Sequence, residues 1–312
     1  MAEREKTNAL WVTRSFFINR YFFFVRKFIC ENLQLLIRAK VYLSMIKTWI
    51  LSLAISISFY GSVKARESIS MDFKVDGANR ETLVFPVTKQ KTTKSKPVPL
   101  VFCFHGHGGG SRQASMSFRM HDEWPDAMVV YPQGLPTPGQ LTDAEGKRNG
   151  WQAKQGDQRD KDLKFFDVML FELSKLYPID TKRVFVMGHS NGGGFTYLLW
   201  AYRGDKIAAV APCAALSMSV VKDLKPKACL HIAGKNDRLV KFAWQEKMMR
   251  SVKDTNGCKE EGEVWAKHCL LYKPANEKVG APMVQCIHDG THRYPDDATE
   301  LMVKFFKEVQ IH

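Results

Sequence analysis

Residues 183–200 read RVFVMGHSNGGGFTYLLW, and this segment limits the possible folds more than any other. An apolar run ends at Gly188-His189-Ser190-Asn191-Gly192, a G-x-S-x-G arrangement, and apolar residues at helical spacing follow it. That is a strand running through one sharp turn into a helix. Such a turn brings neighbouring backbone very close, so the positions two before and two after the serine can carry no bulky side chain, and glycine is what sterics leave. The turn also lifts the serine hydroxyl clear of the strand, and the first N–H groups of the helix point into the same space.

The rest of the chain repeats the alternation. FKVDGANRETLVFPV predicts an opening hairpin around Asp76-Gly77, and PLVFCF and AMVVYP predict buried strands. Helices are expected at 161–176, from 191, near 243–253 and at 297–309, with strands at 183–187, 207–211, 228–233 and 283–288. KQKTTKSKP between the first strands reads as a solvated basic loop. Strands apolar on both faces that alternate with helices belong to an α/β fold: a mostly parallel central sheet with helices on both faces, built as a single domain.

A serine hydroxyl needs a base to become a nucleophile, and the base needs an acid to orient it. In folds that carry G-x-S-x-G, the chain order is Ser, then Asp or Glu, then His, each just after a strand. ACLHIAGKNDRLV supplies Asp237 and MVQCIHDGTHRYP supplies His292 at such positions. His288 falls in the strand itself, His268 between two cysteines and His312 at the terminus; Asp289 lies too near His292 to come from another strand end. For a developing oxyanion, the expected donors are the N–H of Asn191 and, from the loop HGHGGG after PLVFCF, the N–H of His107. The imidazoles of His105 and His107 are expected to hydrogen-bond locally. Trp151, at the end of the long loop 132–150, is the expected aromatic wall of a substrate cleft. His and Cys spacings match no zinc pattern, so no metal is expected.

The formal net charge of +14 would suit a nucleic-acid partner, yet residues 1–65 hold ten Lys/Arg against three Glu. The remainder carries a net +7 with no basic stripe among aromatics, so nucleic acid is not an expected partner. MIKTWILSLAISISFYGSVKA, residues 45–65, has the pattern of a cleaved export signal, with an apolar stretch shorter than a bilayer span requires. The expected organisation is therefore an extension at 1–44 upstream of the true start, a signal at 45–65 and a catalytic domain at 66–312, secreted and with no stable membrane insertion after cleavage. Cys30 lies in the extension, which leaves six cysteines beyond it. Cys103 and Cys229 sit in apolar runs and read as buried, while Cys258 and Cys269 flank the polar stretch CKEEGEVWAKHC and are the favoured disulfide, with Cys258–Cys286 as the rival.

Taken together, PLVFCFHGHGG, MVVYPQG, the 161–200 block, AGKNDRLV, NGC and DGTHRYP resemble the secreted esterase family that groups polyhydroxybutyrate depolymerases with feruloyl and acetylxylan esterases. The resemblance covers nearly everything after about residue 70. It implies an α/β-hydrolase fold, extracellular ester substrates, no cofactor, and a triad on Ser190, Asp237 and His292. Ala233-Gly234 stands where the family usually has His-Gly, His107 where it has Cys, and Tyr294 where it has Trp. None of these removes a triad group, but the last two lie where a pocket would form and leave the ester unspecified. An acyltransferase or a non-catalytic binding protein could use the same fold. No Ser/Thr/Pro/Gly-rich linker follows residue 66, which favours soluble or loosely held esters over a crystalline polyester.

Overall fold

The computed structural model describes residues 26–27, 40–49, 66–87 and 96–309. Most of the proposed signal, the basic loop at 88–95, Cys30 and His312 lie outside these residues. The chain divides into two units, Met1–Ala65 and Arg66–His312. In the first, residues 40–49 are helical. Among the described residues no helix is long and apolar enough to cross a membrane.

The second unit is built on one ten-stranded sheet. Its strands are β1 (Ile69–Val75), β2 (Ala78–Phe85), β3 (Val98–Phe104), β4 (Met128–Pro132), β7 (Ile179–His189), β8 (Ala209–Cys213), β9 (Ala228–Gly234), β10 (Glu263–Ala266), β11 (Cys269–Tyr272) and β12 (Met283–His288). A separate small ribbon pairs β5 (Leu135–Pro136) with β6 (Asn149–Gly150). In space the large sheet runs β1-β2-β4-β3-β7-β8-β9-β12-β11-β10. From β4 through β12 every neighbouring pair is parallel, and an antiparallel hairpin closes each edge. At the first hairpin Asp76 and Gly77 both adopt positive φ, 48° and 84°, the twist that a two-residue turn needs to join right-twisted strands.

The apolar runs are apolar because both faces are covered. Along β3, Leu100, Phe102 and Phe104 point into one core while Val101 and Cys103 point into the other. On the first side pack α3 (Lys161–Leu176), α4 (Asn191–Arg203) and α5 (Phe242–Asn256), through side chains such as Phe165, Phe195 and Met248. On the second side pack α1 (Ser111–Phe118), α2 (Met120–Glu123) and α6 (Ala298–Glu308), through Phe118, Met120 and Phe306. Several short elements fall outside the sequence expectation: α1, α2, the β5–β6 ribbon, and the β10 and β11 extension among them. Helix α1 buries Ala114 and Phe118 but also Ser111 and Ser115, so it shows little apolar periodicity. Strand β10 is an edge whose Val264 is 84% exposed, so its segment has the composition of a polar loop.

The disulfide differs from both expected pairings. Cys269 is joined to Cys286, and Cys258 is free. Cys269 and Cys286 face each other directly across β11 and β12. The Ile287 N–H donates to the His268 carbonyl, which makes the cysteines a non-hydrogen-bonded cross-strand pair, the kind whose side chains lie closest. Their Cα atoms are 4.0 Å apart. The Cys258 thiol instead lies within donating distance of the carbonyls of Tyr272 and Ala281, one of which takes its single hydrogen.

Candidate active site

Ser190 sits between the end of β7 and the start of α4 with φ 57° and ψ −120°, a left-handed conformation that costs a non-glycine residue energy. The flanking glycines permit it. A Cβ on Gly188 would lie 2.3 Å from the Gly192 carbonyl oxygen, and a Cβ on Gly192 would lie 2.2 Å from the Phe104 carbonyl oxygen. The Ser190 N–H donates to the Cys213 carbonyl, which fixes the turn to the neighbouring strand β8.

The structure brings Ser190, His292 and Asp237 together from three strand ends. His292 Nε2 is 2.9 Å from Ser190 Oγ, and His292 Nδ1 is 2.8 Å from Asp237 Oδ2. Asp237 is buried, and its Oδ1 accepts the N–H groups of Leu239 and Val240 while Oδ2 also accepts from Gln245 Nε2. Both oxygens of this buried carboxylate thus find hydrogen-bond donors within the protein. An imidazole that donates to it through Nδ1 presents the Nε2 lone pair to the serine hydroxyl, the arrangement that can draw off the hydroxyl proton.

His189 has a part the motif did not announce. Its Nε2–H donates to the backbone carbonyl of His292 at 2.8 Å, and the two rings lie 5.0 Å apart. The rivals stand elsewhere. Asp289 is exposed and pairs with Lys235, His288 accepts the Gly290 N–H through Nδ1, and His268 lies 3.7 Å from Asp297.

The HGHGGG loop passes beside the serine, where a Cβ on Gly106 would be 3.5 Å from that of Ser190. The Gly108 and Gly109 N–H groups are taken by Asn149 and Gly106 carbonyls, while no hydrogen bond engages the His107 N–H among the described residues. Asn191 is the first residue of α4, so its N–H has no partner within the helix. The His105 ring donates to the Gly106 carbonyl and accepts the Gly134 N–H. The His107 ring donates through Nε2 to Asp143 Oδ2 at 3.0 Å. Asp143 also accepts the Arg148 and Lys147 N–H groups, and these donors, the Arg148 N–H foremost, hold its carboxyl down to about 2. The loop that carries Asp143 is thereby tied to the glycine loop.

Trp151 does not line the cleft. It is fully buried, its ring against Phe104 and Phe195, with Nε1 donating to the His105 carbonyl. Its backbone matters more to the site: the Trp151 N–H donates to Asn191 Oδ1 and its carbonyl accepts from Asn191 Nδ2, which clamps the first residue of α4. A large aromatic next to a glycine-rich loop can serve a wall or a core equally, and the sequence does not separate them.

The cleft above Ser190 has a volume of about 1390 Å³, larger than the roughly 300–1,000 Å³ of ordinary small-ligand pockets. Leu141, Leu239 and Trp244, each 40–50% exposed, give it an apolar rim. Arg119, Arg148 and Arg293 face it beside Asp122, Glu123, Asp296 and Glu300, so neither sign of charge strongly dominates. Among the described residues no group of three or more His, Cys, Asp or Glu side chains could hold a metal ion.

Burial pushes His105, His189 and His231 each down to about 4. In the unfolded chain they protonate near 6.5. Above that pH neither state binds the proton. As pH falls below it, the unfolded chain takes up protons first, so stability is lost progressively from about 6.5 towards 4. Urea midpoints measured from pH 7 to 4.5 are expected to fall, and a flat profile would contradict this burial.

No family model matches the chain. Feruloyl esterase D of Neurospora crassa is 30% identical over 212 residues, covering 64% of this chain and 69% of that protein. A bifunctional acetylxylan esterase/xylanase of Neocallimastix patriciarum is 27% identical over 168 residues, 53% of this chain but only 23% of that longer protein. Among solved structures, an acetyl xylan esterase from Aspergillus awamori superposes with a TM-score of 0.58 at 12% identity, over 77% of this chain and 99% of its own. A ferulic acid esterase does so with a TM-score of 0.56 at 16% identity, over 79% and 99%. These two show that the chain has the α/β-hydrolase fold, and the relation to feruloyl esterase D shows that it belongs to the family of feruloyl and acetylxylan esterases, which are carboxylic ester hydrolases.

Proposed function

We propose that the protein is a secreted serine esterase that removes feruloyl or acetyl groups from polysaccharide fragments. The observation that carries this reading is the unbroken contact from Ser190 through His292 to Asp237 at the floor of an open cleft. Ser190 Oγ attacks the ester carbonyl as its proton passes to His292 Nε2. The oxyanion is met by the N–H groups of Asn191 and His107. His292 returns the proton to the leaving sugar hydroxyl, and Asp237 holds the imidazolium through Nδ1. Water, deprotonated by the same imidazole, then attacks the acyl-enzyme and releases the acid.

The relatives' names support the acyl groups, and the cleft supports a bulky neutral alcohol. An acetyl group alone would leave most of about 1390 Å³ empty, and the apolar rim suits a flat aromatic acyl group. Residues 45–65 support export. The test is a panel at equal enzyme: feruloylated and acetylated oligosaccharides, the same esters with an added alcohol acceptor, and a crystalline polyhydroxybutyrate suspension. Release of free acid from the oligosaccharides is expected, with little clearing of the solid. Clearing without oligosaccharide turnover would favour a depolymerase, and acylated acceptor in place of free acid would favour a transferase.

A further inference from the structure

From Asp237 a line of buried polar groups runs through Gln245 and His231 to Tyr197. Gln245 of α5 and His231 of β9 are completely buried, as is Tyr197 of α4. Tyr197 Oη is 2.6 Å from His231 Nδ1, His231 Nε2 is 3.3 Å from Gln245 Oε1, and Gln245 Nε2 is 3.1 Å from Asp237 Oδ2 and 2.7 Å from the Val240 carbonyl.

The proton on every link is determined by its neighbours. The Asp237 carboxylate and the Val240 carbonyl can only accept, so the Gln245 group that faces both must be its amide NH₂. Its carbonyl oxygen therefore faces His231 and requires a donor there. Burial keeps His231 neutral at ordinary pH, so it has one N–H, and that N–H must be on Nε2. Nδ1 is left as an acceptor, which the Tyr197 hydroxyl fills. The other polar group beside that hydroxyl is the Cys229 thiol, which burial holds protonated. Were the imidazole to change tautomer, the Gln245 amide would have to turn over and set an oxygen against the carboxylate.

We infer that Tyr197, His231 and Gln245 form a positioning relay that locks the Gln245 amide so that it donates to Asp237, leaving that carboxylate aligned on His292. The inference rests on the triad reading. Gln245 was not visible as such in the sequence because a single buried polar residue on an amphipathic helix has no motif, and His231 sits inside an apolar strand run.

The test uses the full secreted chain with a soluble feruloyl ester. Gln245→Met keeps much of the shape and removes the donor; Gln245→Glu keeps the outline but sets an oxygen where the NH₂ was. Loss of one hydrogen bond to a charged group predicts a kcat lowered about tenfold or more in Gln245→Met, with KM within about twofold and cooperative melting retained. A larger fall is expected for Gln245→Glu at neutral pH. Nitrogen-15 shifts should report His231 in the Nε2–H tautomer in the wild type and a mixture in Tyr197→Phe. A folded Gln245→Met with wild-type kcat, or a wild-type His231 protonated on Nδ1, would overturn the relay. If a fluorophosphonate fails to label Ser190 in the wild type, the triad reading itself falls and takes the relay with it; a labelled wild type matched in kcat by Gln245→Met removes the relay alone.

Discussion

Ser190→Ala is expected to lose kcat by roughly four to six orders of magnitude, because a nucleophile, its base and its orienting acid act as a unit and the remainder of the site supplies only residual catalysis. Folding should not change. Alanine meets the same backbone cost as serine at φ 57°, and the Ser190 N–H to Cys213 carbonyl bond survives the substitution. A melting transition like the wild type's is therefore expected beside the lost turnover. A fluorophosphonate should label the wild type at Ser190 and leave the alanine variant unlabelled. Substantial turnover in the variant, or labelling at another serine, would remove Ser190 from the chemistry and point to a different nucleophile.

The second large effect concerns stability. Arg80 and Asp162 form an ion pair at 2.9 Å with both side chains almost completely buried. The Arg80 guanidinium also donates to the Lys161 and Gln133 carbonyls and lies 4.1 Å over the Phe165 ring, while Asp162 Oδ2 accepts the Gln152 N–H. Asp162→Ala would leave the guanidinium charged and without its counter-ion in the interior, a change that costs about 3–5 kcal/mol. For a domain of this size that lowers Tm by about 10 °C. Removing both charges costs less than removing one, because a hydrophobic pair needs no desolvation of ions. Denaturant melts of Asp162→Ala and of Arg80→Met/Asp162→Ala should therefore show the double variant as the more stable. A single variant within about 1 kcal/mol of wild type would mean that water reaches Arg80.

Much of this fold was legible because its signals are local and strong. The helix at 161–176 and the strand at 283–288 stand where their periodicities put them, since each buries a regular face. The antiparallel extension through β10 and β11 was not legible: an edge strand needs few apolar residues, and GEVWAKH reads like loop. The disulfide was misassigned for a related reason. Flanking a polar stretch looks like closing a loop, whereas the real pairing depends on strand register, which appears only once β11 lies on β12. Around the site, Ser190, Asp237 and His292 were recognisable by their strand-end positions and chain order. His189, Gln245 and the Trp151 backbone were not. Each acts through a contact between segments far apart in sequence, and no residue pattern specifies which side chain stands at any of the three positions.

The His189 contact has a mechanical meaning. Hydroxyl and imidazole sit on different loops, 102 residues apart, and ordinary breathing of those loops would blur their separation. Because the residue just before Ser190 holds the backbone carbonyl of His292, both reacting groups are gauged from one point at the end of β7. The loop that carries His292 is thus referenced to the end of β7 as well as to its own strand, where His288 accepts the Gly290 N–H. The 2.9 Å between the Ser190 hydroxyl and the His292 imidazole therefore depends on how the end of β7 is seated, and a shift of that strand end carries both groups with it.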